Sequence, residues 1–237
     1  MKKIILFTAL MLLNACASVE PFSYYAEPKQ YKKEDLSVKV VVPPYQDTRI
    51  KENKNNAACL IGIGGLPVIV PYCSVAEFNR PEYNRFGVQL VKVNEEFAKA
   101  TAEEIENASV FKSSAFSFNK NDGDLVLIGN VKKMFYEDVG TYYGLTIYGG
   151  AVLGLFGAPL DYIYRTLEIE YKLVTPSYDV LFEKQYTAKS KTHIGFYTMH
   201  FTFEFDNLLK QINLNLVRDL KENIGNIKKG LSKKVKK

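Results

Sequence analysis

The apolar residues of this chain fall into three kinds of pattern. Two-residue alternation is one: Leu167, Ile169, Tyr171 and Leu173 alternate with Glu168, Glu170 and Lys172, as a sheet with one wet face requires. Recurrence at three and four residues is another. Leu90, Val93, Phe97, Thr101, Ile105 and Ala108 define the buried stripe of a helix predicted over residues 89–108. Glu95, Glu96, Glu103 and Glu104 read as the solvated side of that helix. Leu208, Leu209, Ile212, Leu216, Leu220 and Ile224 predict a second helix over 205–224. The third pattern is an unbroken apolar run: residues 38–42 (Val-Lys-Val-Val-Val) predict a central strand buried on both faces and ended by Pro43 and Pro44.

The remaining elements follow from turn chemistry. Residues 110–118 and 125–136 read as strands joined across an Asn-Lys-Asn-Asp-Gly-Asp turn, which predicts a hairpin. A second hairpin is predicted from residues 165–174 and 179–191 across Thr-Pro-Ser-Tyr. The order strand, loop, helix, strand, strand, insertion, strand, strand, helix predicts one α/β (α+β) domain over residues 37–227. Its expected form is a mixed sheet of about five strands with two main helices packed on one face.

Two uncharged, glycine-rich segments, 57–73 and 142–160, fit neither periodicity. They read in three ways: packed against the sheet to cover its edge, as a partner or subunit interface, or as a shallow membrane contact. The candidate contact residues are Leu60, Ile61 and Leu66 in the first segment, and Ile147, Val152, Leu155 and Phe156 in the second. Gly150, Gly154 and Ala158 stand four apart and on a helix would form a smooth strip. Such a helix of about 15 residues is too short to cross a bilayer. Neither segment shows the alternation of a transmembrane hairpin.

The amino terminus has the three parts of a secretory signal: Lys2 and Lys3, an apolar run over residues 4–13, and small residues before Cys16. Leu13-Asn14-Ala15-Cys16 resembles a lipobox, with Asn14 departing from the usual small residue. The resemblance implies lipid on Cys16, which would make a durable anchor because several acyl chains are buried. Ala17 and Ser18, in place of an aspartate, favour sorting to the outer membrane with the body facing the periplasm. Residues 1–15 are then signal peptide, 16–36 a tether and 228–237 a basic tail.

Charge refines this picture. Without Lys2, Lys3 and the six lysines of 228–237, the net charge of +5 becomes −3, so the body is not basic and a nucleic-acid partner is not expected. After the anchor two cysteines remain, Cys59 and Cys73. In an oxidising compartment they read as a disulfide closing a short loop, against the rival of two buried thiols. His193 and His200 lack neighbours at metal-ligand spacing. Ser113, Ser114 and Ser190 lack a nucleophile-elbow context, and Gly62-Ile-Gly-Gly lacks the Gly-Lys-Ser/Thr ending of a phosphate loop. No catalytic residue, metal or cofactor is expected.

The strand Val38-Lys-Val-Val-Val-Pro43 with Asp47 and Arg49 after it, the helix ending at Ala108, and Gly123-Asp-Leu-Val-Leu-Ile-Gly129-Asn-Val carry a resemblance. Over residues 37–133 they are similar to periplasmic α/β domains that include the curli-secretion-channel lipoprotein and the amino-terminal domain of the Tol–Pal translocation protein. The resemblance implies a fold and a place in envelope assembly or transport, and no reaction. The expected function is a non-catalytic, outer-membrane-anchored scaffold or accessory subunit of such a complex, with an envelope protein partner or self-association. The alternative is a periplasmic binding module for a lipid or other amphipathic ligand.

Overall fold

The computed structural model describes residues 22–29, 36–50, 53–54, 72–78, 90–141, 147–195, 197 and 204–232. In chain order these form β1 (Leu36–Val42), β2 (Gln46–Asp47), β3 (Asn53–Lys54), β4 (Tyr72–Phe78), α1 (Val93–Asn107), β5 (Phe111–Phe116), β6 (Leu125–Thr141), α2 (Ile147–Leu155), β7 (Asp161–Val174), β8 (Val180–Ile194), α3 (Phe205–Glu222) and α4 (Ile224–Ser232).

Strand β6, with 17 residues, is the spine. At about 3.3 Å per residue it extends some 55 Å, longer than any of its neighbours on one side. Three strands therefore share that edge in succession. Parallel β1 pairs at Val40↔Leu125 and Val41↔Val126. Parallel β2 pairs at Asp47↔Val131. Antiparallel β4 pairs from Phe78↔Tyr136 to Tyr72↔Thr141. β5 lies outside β1 and β3 outside β4. On the other edge β7 follows β6 antiparallel from Val126↔Val174 to Gly140↔Asp161, and β8 closes the sheet beyond it. The result is one mixed α+β sheet with its main helices on one face.

The core lies between that face and the helices. Val40, Val42, Leu125, Leu127, Leu167, Ile169 and Leu173 meet Phe97 and Ile105 of α1 and Leu208, Leu209, Ile212, Leu216 and Leu220 of α3. Val40, Val41 and Val42 are each fully buried, as expected of a central strand. The helices are set by apolar stripes at three- and four-residue spacing, with Glu95 and Glu96 favourably placed at the positive amino-terminal end of α1.

Several boundaries and one connection differ from the sequence-based expectation. The predicted hairpin of 110–118 with 125–136 does not form, because β1 lies between β5 and β6 and runs parallel to both. The linking turn crosses the end of β1 instead. There Asp124 N donates to Lys39 O at 2.9 Å and Lys39 N to the Asp124 carboxylate at 2.8 Å. The strand predicted to end at 136 continues to Thr141, and the 165–191 hairpin forms and extends to Asp161 and Ile194. Residues 228–232, read as tail, are helical, with Gly230 of α4 against Leu181.

Two contacts generate predictions. A Cβ on Gly129 would lie 2.5 Å from the ring of Tyr45, which is buried and cannot step aside. Gly129→Ala is therefore expected to lower stability by about 1–3 kcal/mol in urea denaturation, by overpacking. At the α3–β8 contact, burial pushes the Asp219 carboxyl up, but Lys184 Nζ and the Tyr186 hydroxyl, each at 2.6 Å, outweigh this and hold it below the ordinary aspartate value. A carboxyl lowered on folding contributes stability that is complete above its unfolded value and is lost as pH falls through its folded one. Asp219→Asn should cost about 1–2 kcal/mol at neutral pH. The variant should also show a flatter stability profile below about pH 4; profiles that fall in parallel would contradict the assignment.

Candidate functional site

Helix α2 occupies the second glycine-rich segment, at the end of the sheet towards which β6 runs. Ile147 opens its backbone and Leu155 closes it. Val152, Leu155 and Phe156 stand at positions i, i+3 and i+4, so they form one stripe, and they are 52%, 59% and 84% exposed. Gly150 and Gly154 are buried on the other side. Ala158 is not part of a helical strip, because the helix stops before it. Gly157, at φ +90°, takes the left-handed turn that a side chain would resist. Ala158 N then donates to Leu153 O at 3.2 Å and Gly157 N to Gly154 O at 2.9 Å, the paired bonds of a Schellman cap. The Tyr197 hydroxyl adds a bond of 2.9 Å to Leu155 O.

Leu60, Ile61, Leu66 and Cys59 lie outside the described residues, as do Cys16 and His200. Cys73 is in β4, with its backbone opposite Gly140. The structure therefore exposes three of the seven predicted contact residues together, Val152, Leu155 and Phe156, and gives the fourth on that segment, Ile147, its place at the start of the same helix. His193 is on β8 opposite Tyr162 and exposed. Among the described residues no three of His, Cys, Asp and Glu converge as a metal site would.

A second arrangement was not foreseen. Residues 22–29, read as tether, lie along α1. The Phe22 ring packs on Phe97 with centroids 5.4 Å apart, and Phe22 N reaches Leu90 O at 3.5 Å. Further on, Asn107 Nδ2 donates to Glu27 O at 2.9 Å and Lys29 pairs with Glu106 at 3.0 Å. This strap thus runs in the same direction as α1, with Phe22 near the helix start.

Between those points Tyr24 enters a hydrogen-bonded chain that joins strap, helices and sheet. Tyr45 donates to Thr101 at 2.6 Å and Thr101 to Asn213 Oδ1 at 2.8 Å. The Tyr171 hydroxyl donates to the same oxygen at 3.0 Å. Asn213 Nδ2 donates to the Tyr24 hydroxyl at 3.0 Å, which donates to Glu104 at 2.6 Å. Lys210 neutralises Glu104 at 3.2 Å, and Glu27 N completes the carboxylate. Burial pushes the Tyr171 hydroxyl up to about 12, and raises those of Tyr45 and Tyr24 as well. At neutral pH these hydroxyls stay protonated, as donors that lock elements together and not as proton-transfer groups.

Arg165 marks a further buried charge on the helix-covered face. Its guanidinium lies 2.6 Å from Glu204 and 2.8 Å from Thr192, with the Tyr136 ring at 5.6 Å. Burial pulls its pKa down and Glu204 holds it up. Glu204 itself sits at φ 53°, an uncommon left-handed conformation for a residue with a side chain, just before α3. This pair ties the start of α3 to β7.

No protein-family model matches the chain, and no curated protein matches it either. Among solved structures, the crystal structure of a Xanthomonas campestris protein of the family DUF330 is similar over 85% of this chain and 93% of its own, at 14% identity and a TM-score of 0.44.

The strap makes a testable demand. Tyr24→Phe removes the donor to Glu104 and leaves Asn213 Nδ2 without its acceptor. Cleavage by trypsin after Lys29 under native conditions should then rise roughly tenfold, the equivalent of one buried hydrogen bond. Tyr25→Phe, at a residue 82% exposed, should leave the rate unchanged. Equal rates in both variants would mean that Tyr24 does not hold the strap.

Proposed function

We propose that this chain is a non-catalytic lipoprotein, attached to the outer membrane through lipid on Cys16, that acts as a scaffold or accessory subunit of an envelope assembly or transport complex. The observation that carries the reading is the strap. With residues 22–29 docked on α1, only five residues separate Cys16 from the folded body. Six Cα steps reach at most about 20 Å. Lipid on Cys16 then keeps the body beside the membrane surface, as suits a fixed member of a membrane complex better than a carrier travelling between membranes.

The exposure of Leu155 and Phe156 supports the same choice. A module that enclosed an amphipathic ligand would turn such side chains inward to line its cavity; here they point out from a capped helix. Charge on the uncovered sheet face is mixed in sign, with Glu168 and Lys172 on β7 and Glu183 and Lys189 on β8. Such a surface suits a polar, non-obligate protein contact.

Two measurements test this. Incorporation of an alkyne-tagged fatty acid should label the native chain and be abolished by Cys16→Ala; labelling that survives the substitution removes the anchor from the proposal. In cells, photo-reactive residues placed at Gln185 and Lys189 should give discrete protein adducts. A full-length chain that is monomeric and yields no protein adduct from either probe would remove the scaffold.

A further inference from the structure

We infer that the tip of α2 is a second membrane contact, with Val152, Leu155 and Phe156 entering the acyl region of the same bilayer that holds the lipid on Cys16. The inference rests on the anchoring proposed above and names the partner of the exposed tip as a lipid surface.

The first support is chemical. From residue 142 to residue 160 the chain has no ionisable side chain apart from tyrosine, so immersing α2 desolvates no formal charge. The second concerns the backbone. A helix end facing water can leave its last carbonyls to solvent, whereas one in lipid must satisfy them within the protein. Leu153 O accepts from Phe156 N and Ala158 N, Gly154 O from Gly157 N, and Leu155 O from the Tyr197 hydroxyl. The carbonyls of residues 153–155, the last three of the helix, are thus paired beneath exposed apolar side chains.

The third support is direction. α1 ends where β5 begins, beside Leu36 at the start of β1, so the beginning of α1 lies towards the end to which β1, β5 and β6 run. Tyr45 N donates to Asn94 O at 2.9 Å, which fixes that level. Phe22 is at this end of the strap, and the chain leading back to Cys16 departs there. β6 continues to the same end and leads into α2. Tip and anchor therefore share one end of the molecule. From Gly129, which lies against Tyr45, to Thr141, the last residue of β6, is about 40 Å of strand, further than the roughly 20 Å leash reaches, so one bilayer that meets both lies with β6 inclined to it.

The chain has no tryptophan, which provides a clean test. Phe156→Trp introduces a single indole at an exposed site, and Tyr178→Trp does so at the β7–β8 turn, the opposite end of the sheet, where the residue is 64% exposed. The full lipid-modified chain is reconstituted in vesicles of phosphatidylethanolamine and phosphatidylglycerol with acyl chains brominated near their middle. The Phe156→Trp protein should be quenched several-fold more than the Tyr178→Trp protein, with emission shifted to shorter wavelength. Equal quenching at the two sites, or none at 156 in protein that floats with the vesicles, overturns the tip contact and leaves the anchor standing. Protein that fails to float overturns the Cys16 reading itself.

Discussion

Everything in this fold hangs on the pairing along β6. A strand of about 55 Å buried in the middle of a sheet must have its backbone groups satisfied on both edges over its whole length. On one edge a single long partner, β7, does this. On the other no neighbour is long enough, and β1, β2 and β4 succeed one another. The change from parallel to antiparallel partners follows, because β1 and β2 arrive from below and β4 returns from the far end. The two ends of β6 consequently have different surroundings. The lower half is covered by α1 and α3 over a dense aliphatic core. The upper half carries the buried Arg165–Glu204 pair and projects α2.

Between sheet and helices, polar order is layered on apolar packing. The chain from Tyr45 through Thr101, Asn213 and Tyr24 to Glu104, joined at Asn213 by Tyr171 of β7, links sheet, α1, α3 and strap in one hydrogen-bonded path. A buried amide and carboxylate are costly unless every partner is present. Here Asn213 is used on both its oxygen and its nitrogen, and Glu104 accepts from Tyr24, Lys210 and Glu27 N. Gly129 belongs to the same arrangement, because only a residue without a side chain lets the Tyr45 ring lie against β6. The strap is thus a structural member of the helical layer, although it contributes no regular secondary structure.

Legibility in the sequence divides along physical lines. The valine run of β1, the alternation of β7 and the stripes of α1 and α3 were readable because burial repeats with the period of the element. What alternation cannot give is the neighbour. Residues 110–118 and 125–136 looked like a hairpin from their short link, yet β1 comes between them. Glu104 reads as solvated from the sequence because it falls in a pattern with Glu95, Glu96 and Glu103; it lies buried beside Thr101 and faces the strap. Tyr24 sits in a segment whose proline and lysine content says only that it lacks its own periodicity. Its partner is a groove formed by residues some 80 and 190 positions away, which local composition does not encode. Thr101 on the buried stripe of α1 and Asn213 on the inward side of α3 are the signals of a polar network that the sequence carries. In α2, the spacing of Gly157 and Pro159 after Leu155 is a helix-stop signature that could have placed the cap.

The strap also determines how tension would travel. Any pull on the chain ahead of Phe22 arrives first at the contacts of Phe22 with Phe97 and Leu90 and then at Tyr24, and through Asn213 and Thr101 it is shared between both helices before it reaches Tyr45 and, on β7, Tyr171. A load along α1 would shear the strap's bonds together, whereas one directed away from the helix would peel them in order from Phe22. The attachment of the strap is accordingly strongest against forces parallel to α1, and that directionality is set by eight residues with no secondary structure of their own.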